Sequence, residues 1–140
     1  MNIYIKVEIK ERELDSRILF AFYAASRGHK ILIGYESLFR NLLKYKLLKP
    51  GIVLDKSIRP KDEKIKEIKF FKKNGFKYFS LDEEGGLTHP NIELFLTKRY
   101  SEETIKLVDG IFFWGEKDAN YIKSKYSKYT NKYFKTGNPR

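Results

Sequence analysis

Three consecutive carboxylates, Asp82, Glu83 and Glu84, run directly into Gly85 and Gly86. A strand cannot easily bury such a run, because an unpaired buried charge is costly. The two glycines permit a sharp turn and a close approach of a ligand to the backbone. The run follows Phe76 to Leu81, an apolar and aromatic stretch that reads as a strand, so the acids are expected at a strand's exit. In open α/β sheets, ligands bind along that edge. Like charges disfavour one another's ionisation, which suits one carboxylate of the cluster to general-base work near neutral pH. Clustered carboxylates also suit a Mg²⁺ ion, and a solvated loop tip is the plain structural alternative.

Two further stretches are expected on the same edge. Glu8-Ile9-Lys10-Glu11-Arg12-Glu13-Leu14-Asp15-Ser16-Arg17 follows the first strand. Arg12 and Arg17 in it have the planar fork that grips a phosphate or carboxylate bidentately, with Glu8, Lys10 and Glu13 beside them. An exposed loop with a capped helix accounts for the same residues. Trp114-Gly115-Glu116 follows a later apolar run; a tryptophan there serves packing more often than stacking on a ligand. The two histidines, His29 and His89, are too few for a histidine-rich metal site, and no Gly-rich nucleotide loop occurs.

The chain has 140 residues, enough for one domain with a real core, and 41% hydrophobic residues argue against disorder. It has no cysteine, which removes disulfides, thiolate metal sites and cysteine nucleophiles and fits a reducing cytoplasm. No apolar run is long enough to span a bilayer, and the N-terminus lacks the layout of a signal peptide. The net charge of +11 favours an anionic partner: nucleic acid, a phosphate-bearing ligand or an acidic membrane face. The lysines are spread over every expected helix, and the Lys, Ile, Tyr, Phe and Asn richness is also what an AT-rich genome yields, so charge alone favours such a partner only modestly.

The elements that position these residues follow from periodicity. Asn2 to Ile9 alternates as a strand, and Lys10 to Glu13 reads as a charged loop. A helix follows from Leu14, with Ile18, Leu19, Phe22, Tyr23 and Ala25 as its inward face and Gly28 as its stop. His29 to Gly34 reads as a strand, and Glu36 to Lys46 as a helix with Leu38, Phe39, Leu42 and Leu43 inward. Ile52 to Leu54 is a third strand, and a helix begins between Ser57 and Pro60 with Ile65, Ile68 and Phe71 inward. After the strand ending at Leu81, helices are expected over Asn91 to Tyr100 and from Ser101. Gly110 to Gly115 is a strand, Glu116 to Tyr126 a helix, and Lys132 to Thr136 a last strand. Strands alternating with helices predict one Rossmann-like domain over 1–140, a parallel sheet with helices on both faces.

Taken in order, Glu8-Ile9-Lys10, Arg12-Glu13-Leu14-Asp15, Arg27-Gly28-His29-Lys30, Leu54-Asp55-Lys56-Ser57, Ser80-Leu81-Asp82-Glu83-Glu84-Gly85, Trp114-Gly115-Glu116-Lys117-Asp118 and Thr136-Gly137-Asn138-Pro139-Arg140 form a pattern. The chain resembles the N-terminal half of bacterial surface-carbohydrate (surface polysaccharide) biosynthesis proteins of GT-B glycosyltransferase-like fold. The resemblance covers the whole chain. It implies an acceptor-side domain facing a C-terminal donor-binding domain that this chain lacks, with the reaction in the cleft between them. It implies a nucleotide-sugar donor, a glycan or lipid-linked acceptor, no bound metal or other cofactor, and a cytoplasmic location, at the inner face of the membrane where the protein associates peripherally with anionic lipid. Glu83-Glu84-Gly85 is also similar to the acidic-acidic-Gly motif of bacterial GT-B sialyltransferases, where the acid before glycine serves as base. That implies Glu84 as base with Glu83 second, and Asp82, Gly85, Gly86, Glu8, Lys10, Arg12, Glu13, Arg17, Trp114 and Glu116 around the substrate. The lesser reading is a small basic module without catalysis that binds nucleic acid or another anionic partner, with lysines interleaved among Tyr121, Tyr126, Tyr129 and Tyr133.

Overall fold

The structure is a computed structural model and describes residues 1–82 and 91–137. Six strands form one all-parallel sheet: β1 Asn2–Lys6, β2 Lys30–Gly34, β3 Ile52–Asp55, β4 Lys77–Leu81, β5 Gly110–Phe113 and β6 Tyr133–Lys135, in the order β2-β1-β3-β4-β5-β6. The helices are α1 Lys10–Ser26, α2 Glu36–Lys44, α3 Asp62–Lys73, α4 Ile92–Arg99, α5 Glu102–Leu107 and α6 Glu116–Lys125, with a short 3-10 segment over Ser127–Lys132. The chain is thus a Rossmann-like α/β fold.

Strand order fixes which face each helix covers. The chain steps one way from β1 to β2, then crosses back over β1 to β3 and continues to β6. Right-handed crossovers therefore put α1 on one face and the later helices on the other. The packing agrees. Phe39 and Leu43 of α2, Ile68 and Phe71 of α3, Leu96 of α4, Ile105 of α5 and Ile122 of α6 share a core with Tyr4, Val53, Tyr78, Ile111 and Tyr133 of the sheet. On the opposite face Ala24 and Ala21 of α1 pack on Ile3, Ile5, Ile31 and Ile33. Beyond α1 that face carries an aromatic strip: Phe79 stacks on Phe112 at 5.8 Å, and Phe112 meets Phe134 at 5.5 Å.

Several sequence expectations are corrected. The first strand ends at Lys6 rather than Ile9, and Lys10 to Glu13 is the first turn of α1, not a loop. Glu13 accepts the backbone N–H of Glu8 at 2.8 Å, so a charged stretch that reads as a loop closes the helix start. The expected inward face of α1 points outward: Ile18 is 51% and Phe22 68% exposed, and Leu19, Tyr23 and Ala25 are exposed as well. The buried positions are Glu13, Ser16, Arg17 and Ala24, and the small Ala24 lets the helix approach Ile3 and Ile5 closely. Leu38 of α2 is likewise exposed, while Phe39 and Leu43 are buried. The third long helix begins at Asp62, after Pro60, rather than between Ser57 and Pro60.

Candidate functional site

The strand order reverses between β1 and β3, and at that point an open sheet leaves a crevice outside its carboxyl ends. A cavity of about 630 Å³ lies there, within the range of small-molecule sites. Its walls are the exits of β1 (Lys6 to Ile9, with Arg12), of β2 (Tyr35, Glu36 and Ser37) and of β3 (Asp55 to Ser57, with Arg59, Lys61 and Lys64), together with Arg99 of α4.

A buried ionic network forms the floor. Tyr4, Val53 and Tyr78 are register partners, so Lys6 and Asp55, two residues on from the first two, project from the same sheet face at its edge. The Lys6 ammonium donates to Asp55 Oδ2 at 2.9 Å and to Glu67 Oε1 at 2.5 Å. Lys64 donates to the same two carboxylates at 2.6 and 2.8 Å. The Tyr78 hydroxyl contacts both, reaching Glu67 at 2.9 Å, and the Lys56 N–H donates to Asp55 Oδ1 at 2.7 Å. Two ammoniums thus balance two carboxylates in a site where an unmatched charge would be expensive. Burial by itself would raise the Asp55 carboxyl, but the Lys6 and Lys64 ammoniums hold it well below the usual carboxylate range. Burial would lower the Lys6 ammonium, yet Asp55 and Glu67 raise it above an ordinary lysine. Burial, reinforced by Asp55 and Glu67, pushes the Tyr78 hydroxyl well up. At neutral pH Asp55 is therefore ionised and Lys6 protonated, and the pair forms a charged support beneath the crevice.

The rim is different. Among the described residues, seven cationic side chains and three acidic ones line the crevice. Lys56 is held by Glu8 and, at 3.3 Å, by the fully buried Glu13. Arg12 reaches Glu13 only at 3.5 Å, and its Nε is buried without a hydrogen-bond partner among the described residues. Lys61 makes no ion pair among the described residues. Three helices, α1, α2 and α3, start at this edge, with Ile9, Tyr35 and Lys61 as their N-caps. None of these caps makes a side-chain hydrogen bond, whereas Asn91 caps α4 and Ser101 caps α5 through their side chains. A helix N-terminus presents unpaired N–H groups and a partial positive charge.

The sequence-derived residues divide clearly. Glu8 and Arg12 line the crevice. Glu13 lies behind its wall, where burial would raise its carboxyl but the Glu8 N–H and Lys56 lower it. Lys10 is exposed at the start of α1, and Arg17 is fully buried in it. Asp82 is buried and bound by Arg99, whose Nε donates at 2.7 Å, and by the Tyr100 hydroxyl at 2.9 Å. The Trp114 indole donates to the Asp82 backbone carbonyl, and exposed Glu116 pairs with Lys135 of β6, so both sit farther along the edge and not in the crevice. Glu83, Glu84, Gly85, Gly86 and His89 lie outside the described residues. The tyrosines interleaved with lysines are packing residues: Tyr133 is in the core, Tyr121, Tyr126 and Tyr129 pack against it, and the Tyr129 ring carries the Lys128 and Lys132 ammoniums at 5.1 and 5.5 Å.

Sequence reasoning missed Lys6, Lys64, Glu67 and Tyr78 as a unit and overlooked the β3 exit as a wall of the site. A signal existed: Lys6 shares one face of an alternating strand with Tyr4, and Asp55 ends an apolar strand. No helix among the described residues is long and apolar enough to cross a membrane. Comparison with family models, curated proteins and solved structures returned no match.

Proposed function

We propose that this chain is the acceptor-side domain of a GT-B glycosyltransferase-like protein of cell-surface polysaccharide assembly, and that the crevice between β1 and β3 receives the sugar ligand. The observation that carries the reading is a ligand-sized crevice at the strand-order reversal, on the same carboxyl edge at which β4 ends at Leu81, with Asp82-Glu83-Glu84-Gly85 next in the sequence. The ordered motifs shared with surface-carbohydrate biosynthesis proteins support it from the sequence. Packing of Tyr121, Tyr126, Tyr129 and Tyr133 against the core speaks against the nucleic-acid alternative, which needs open aromatic faces.

In this reading the Glu84 carboxylate takes the proton of an acceptor hydroxyl. The freed oxygen bonds to the anomeric carbon while that carbon's bond to the donor phosphate oxygen breaks, and the nucleotide leaves with the electron pair. Glu83 is the second candidate for the base. Cationic side chains and helix N-termini stabilise phosphate leaving groups without a metal. The donor is held chiefly by a facing domain, so this chain alone binds acceptor and does not transfer sugar. With the donor domain present, Glu84→Gln abolishes transfer while acceptor binding and the unfolding transition persist. Normal turnover by that variant removes Glu84 from the role of base.

A further inference from the structure

We propose that the rim of the β1–β3 crevice is a phosphate-recognition subsite built by Arg12, Lys56, Arg59 and Lys61, and that the ligand taken there carries a phosphoester or pyrophosphate group. The inference rests on the crevice being the ligand site and adds the chemical class of what enters it. Its first support is how the charges are distributed. The acids at the crevice are already engaged: Asp55 by Lys6 and Lys64, Glu36 by Arg40 and Lys6, and Glu8 with Glu13 by Lys56. Among the described residues the cations are in excess at the rim, where Lys61 makes no ion pair and Arg12 has a buried Nε without a hydrogen-bond partner. A buried N–H without an acceptor is costly, and an incoming oxyanion removes that cost.

A second support is independent of the side chains. The α1, α2 and α3 N-caps that line this crevice leave their helix starts without side-chain caps, so backbone N–H groups add to the donor set. A carboxylate offers two acceptor oxygens and one charge. A phosphate monoester offers three oxygens and close to two charges, which matches a rim with an arginine fork, several lysines and helix starts without side-chain caps better. The cavity, about 630 Å³, is much larger than a bare phosphate, so the anion is one end of a larger ligand. Next to it a hollow of about 320 Å³ shares Arg59, Lys61 and Arg99 and adds Leu94 and Phe95, giving the body of the ligand an apolar wall.

The test is calorimetric titration of this chain at pH 7 and low salt with pyrophosphate, inorganic phosphate and acetate. Pyrophosphate binds most tightly, phosphate more weakly, and acetate without a measurable signal. Arg12→Gln with Lys61→Gln weakens pyrophosphate at least tenfold, with circular dichroism confirming the fold. Lys69→Gln with Lys106→Gln, at a separate basic surface beside α5, leaves binding unchanged and thereby excludes bulk attraction to a +11 chain. Equal binding of acetate, no effect of the rim pair, or equal loss from both pairs overturns the subsite. Pyrophosphate binding without any binding of oligosaccharide would remove the glycosyltransferase reading and leave the subsite standing. Oligosaccharide binding without pyrophosphate would do the reverse.

Discussion

Arg99 near the end of α4 donates from Nε to Asp82 at the exit of β4, 2.7 Å away, and both side chains are buried. The first of the three consecutive acids is therefore engaged by an arginine and by the Tyr100 hydroxyl, and it ties α4 to the carboxyl end of β4. Burial, followed by the charge of Asp82, raises the Tyr100 hydroxyl well above an ordinary tyrosine, so it stays a donor at all physiological pH values.

Removing one member of that pair strips the other, still buried, of this counter-charge. Asp82→Asn or Arg99→Ala destabilises the fold by about 3–5 kcal/mol, read from urea unfolding midpoints. Replacing both with apolar residues costs less than the two single changes added together. A single-substitution cost below about 1 kcal/mol would mean the pair is not held in a dry environment.

The Lys6–Asp55–Glu67–Tyr78 network gives stability a defined pH window. The Asp55 carboxyl is lowered on folding, so its contribution is present above the unfolded value of about 4 and is lost as pH falls below that. Lys6 and Tyr78 are raised on folding, so their contributions are complete below about pH 10 and are lost as pH climbs past it. Thermal unfolding scanned across pH shows a plateau between these limits. In Lys6→Met both buried carboxylates lose a counter-charge, and acid unfolding begins at higher pH than in the parent. Identical acid limbs would contradict the network.

Periodicity made the order of strands and helices legible, because parallel strands covered by helices repeat in a way that sequence carries. It could not give the orientation of α1. Ile18, Leu19, Phe22 and Tyr23 form a better apolar stripe than Ala21 and Ala24, yet close approach to Ile3 and Ile5 needs the small residues. Charge runs mark loops in sequence, but Glu11 to Glu13 is helix, since Glu13 finds its partners in the Glu8 N–H and in Lys56, 43 residues away. The crevice was half legible. Glu8 and Arg12 were readable from their strand exit, whereas Asp55, Lys56, Arg59 and Lys61 join them only because β3 returns to lie beside β1.

Two glycines report on tight packing between strands and their surroundings. A Cβ at Gly51 would stand 2.9 Å from Asn2 Cβ and 3.0 Å from the Asn2 carbonyl carbon, against backbone that cannot step aside. A Cβ at Gly110 would stand 2.7 Å from the Phe79 ring and 2.9 Å from the Phe134 ring, and Phe134 is exposed enough to rotate away. Gly110→Ala costs about 1–3 kcal/mol, and Gly51→Ala costs more. Chemical denaturation of the two variants checks the order; a reversed ranking would show that β1 and the turn before β3 can separate freely.

The central claim, that the β1–β3 crevice receives an anionic sugar ligand, is tested most directly by two-dimensional amide NMR of this chain titrated with phosphorylated surface oligosaccharides. Binding in the crevice gives saturable shifts of the Glu8, Ile9, Arg12, Ser37, Lys56 and Lys61 amides, with those of Lys69, Lys106 and Lys132 unmoved. Shifts confined to the second group, or no saturable shift at all, would contradict it.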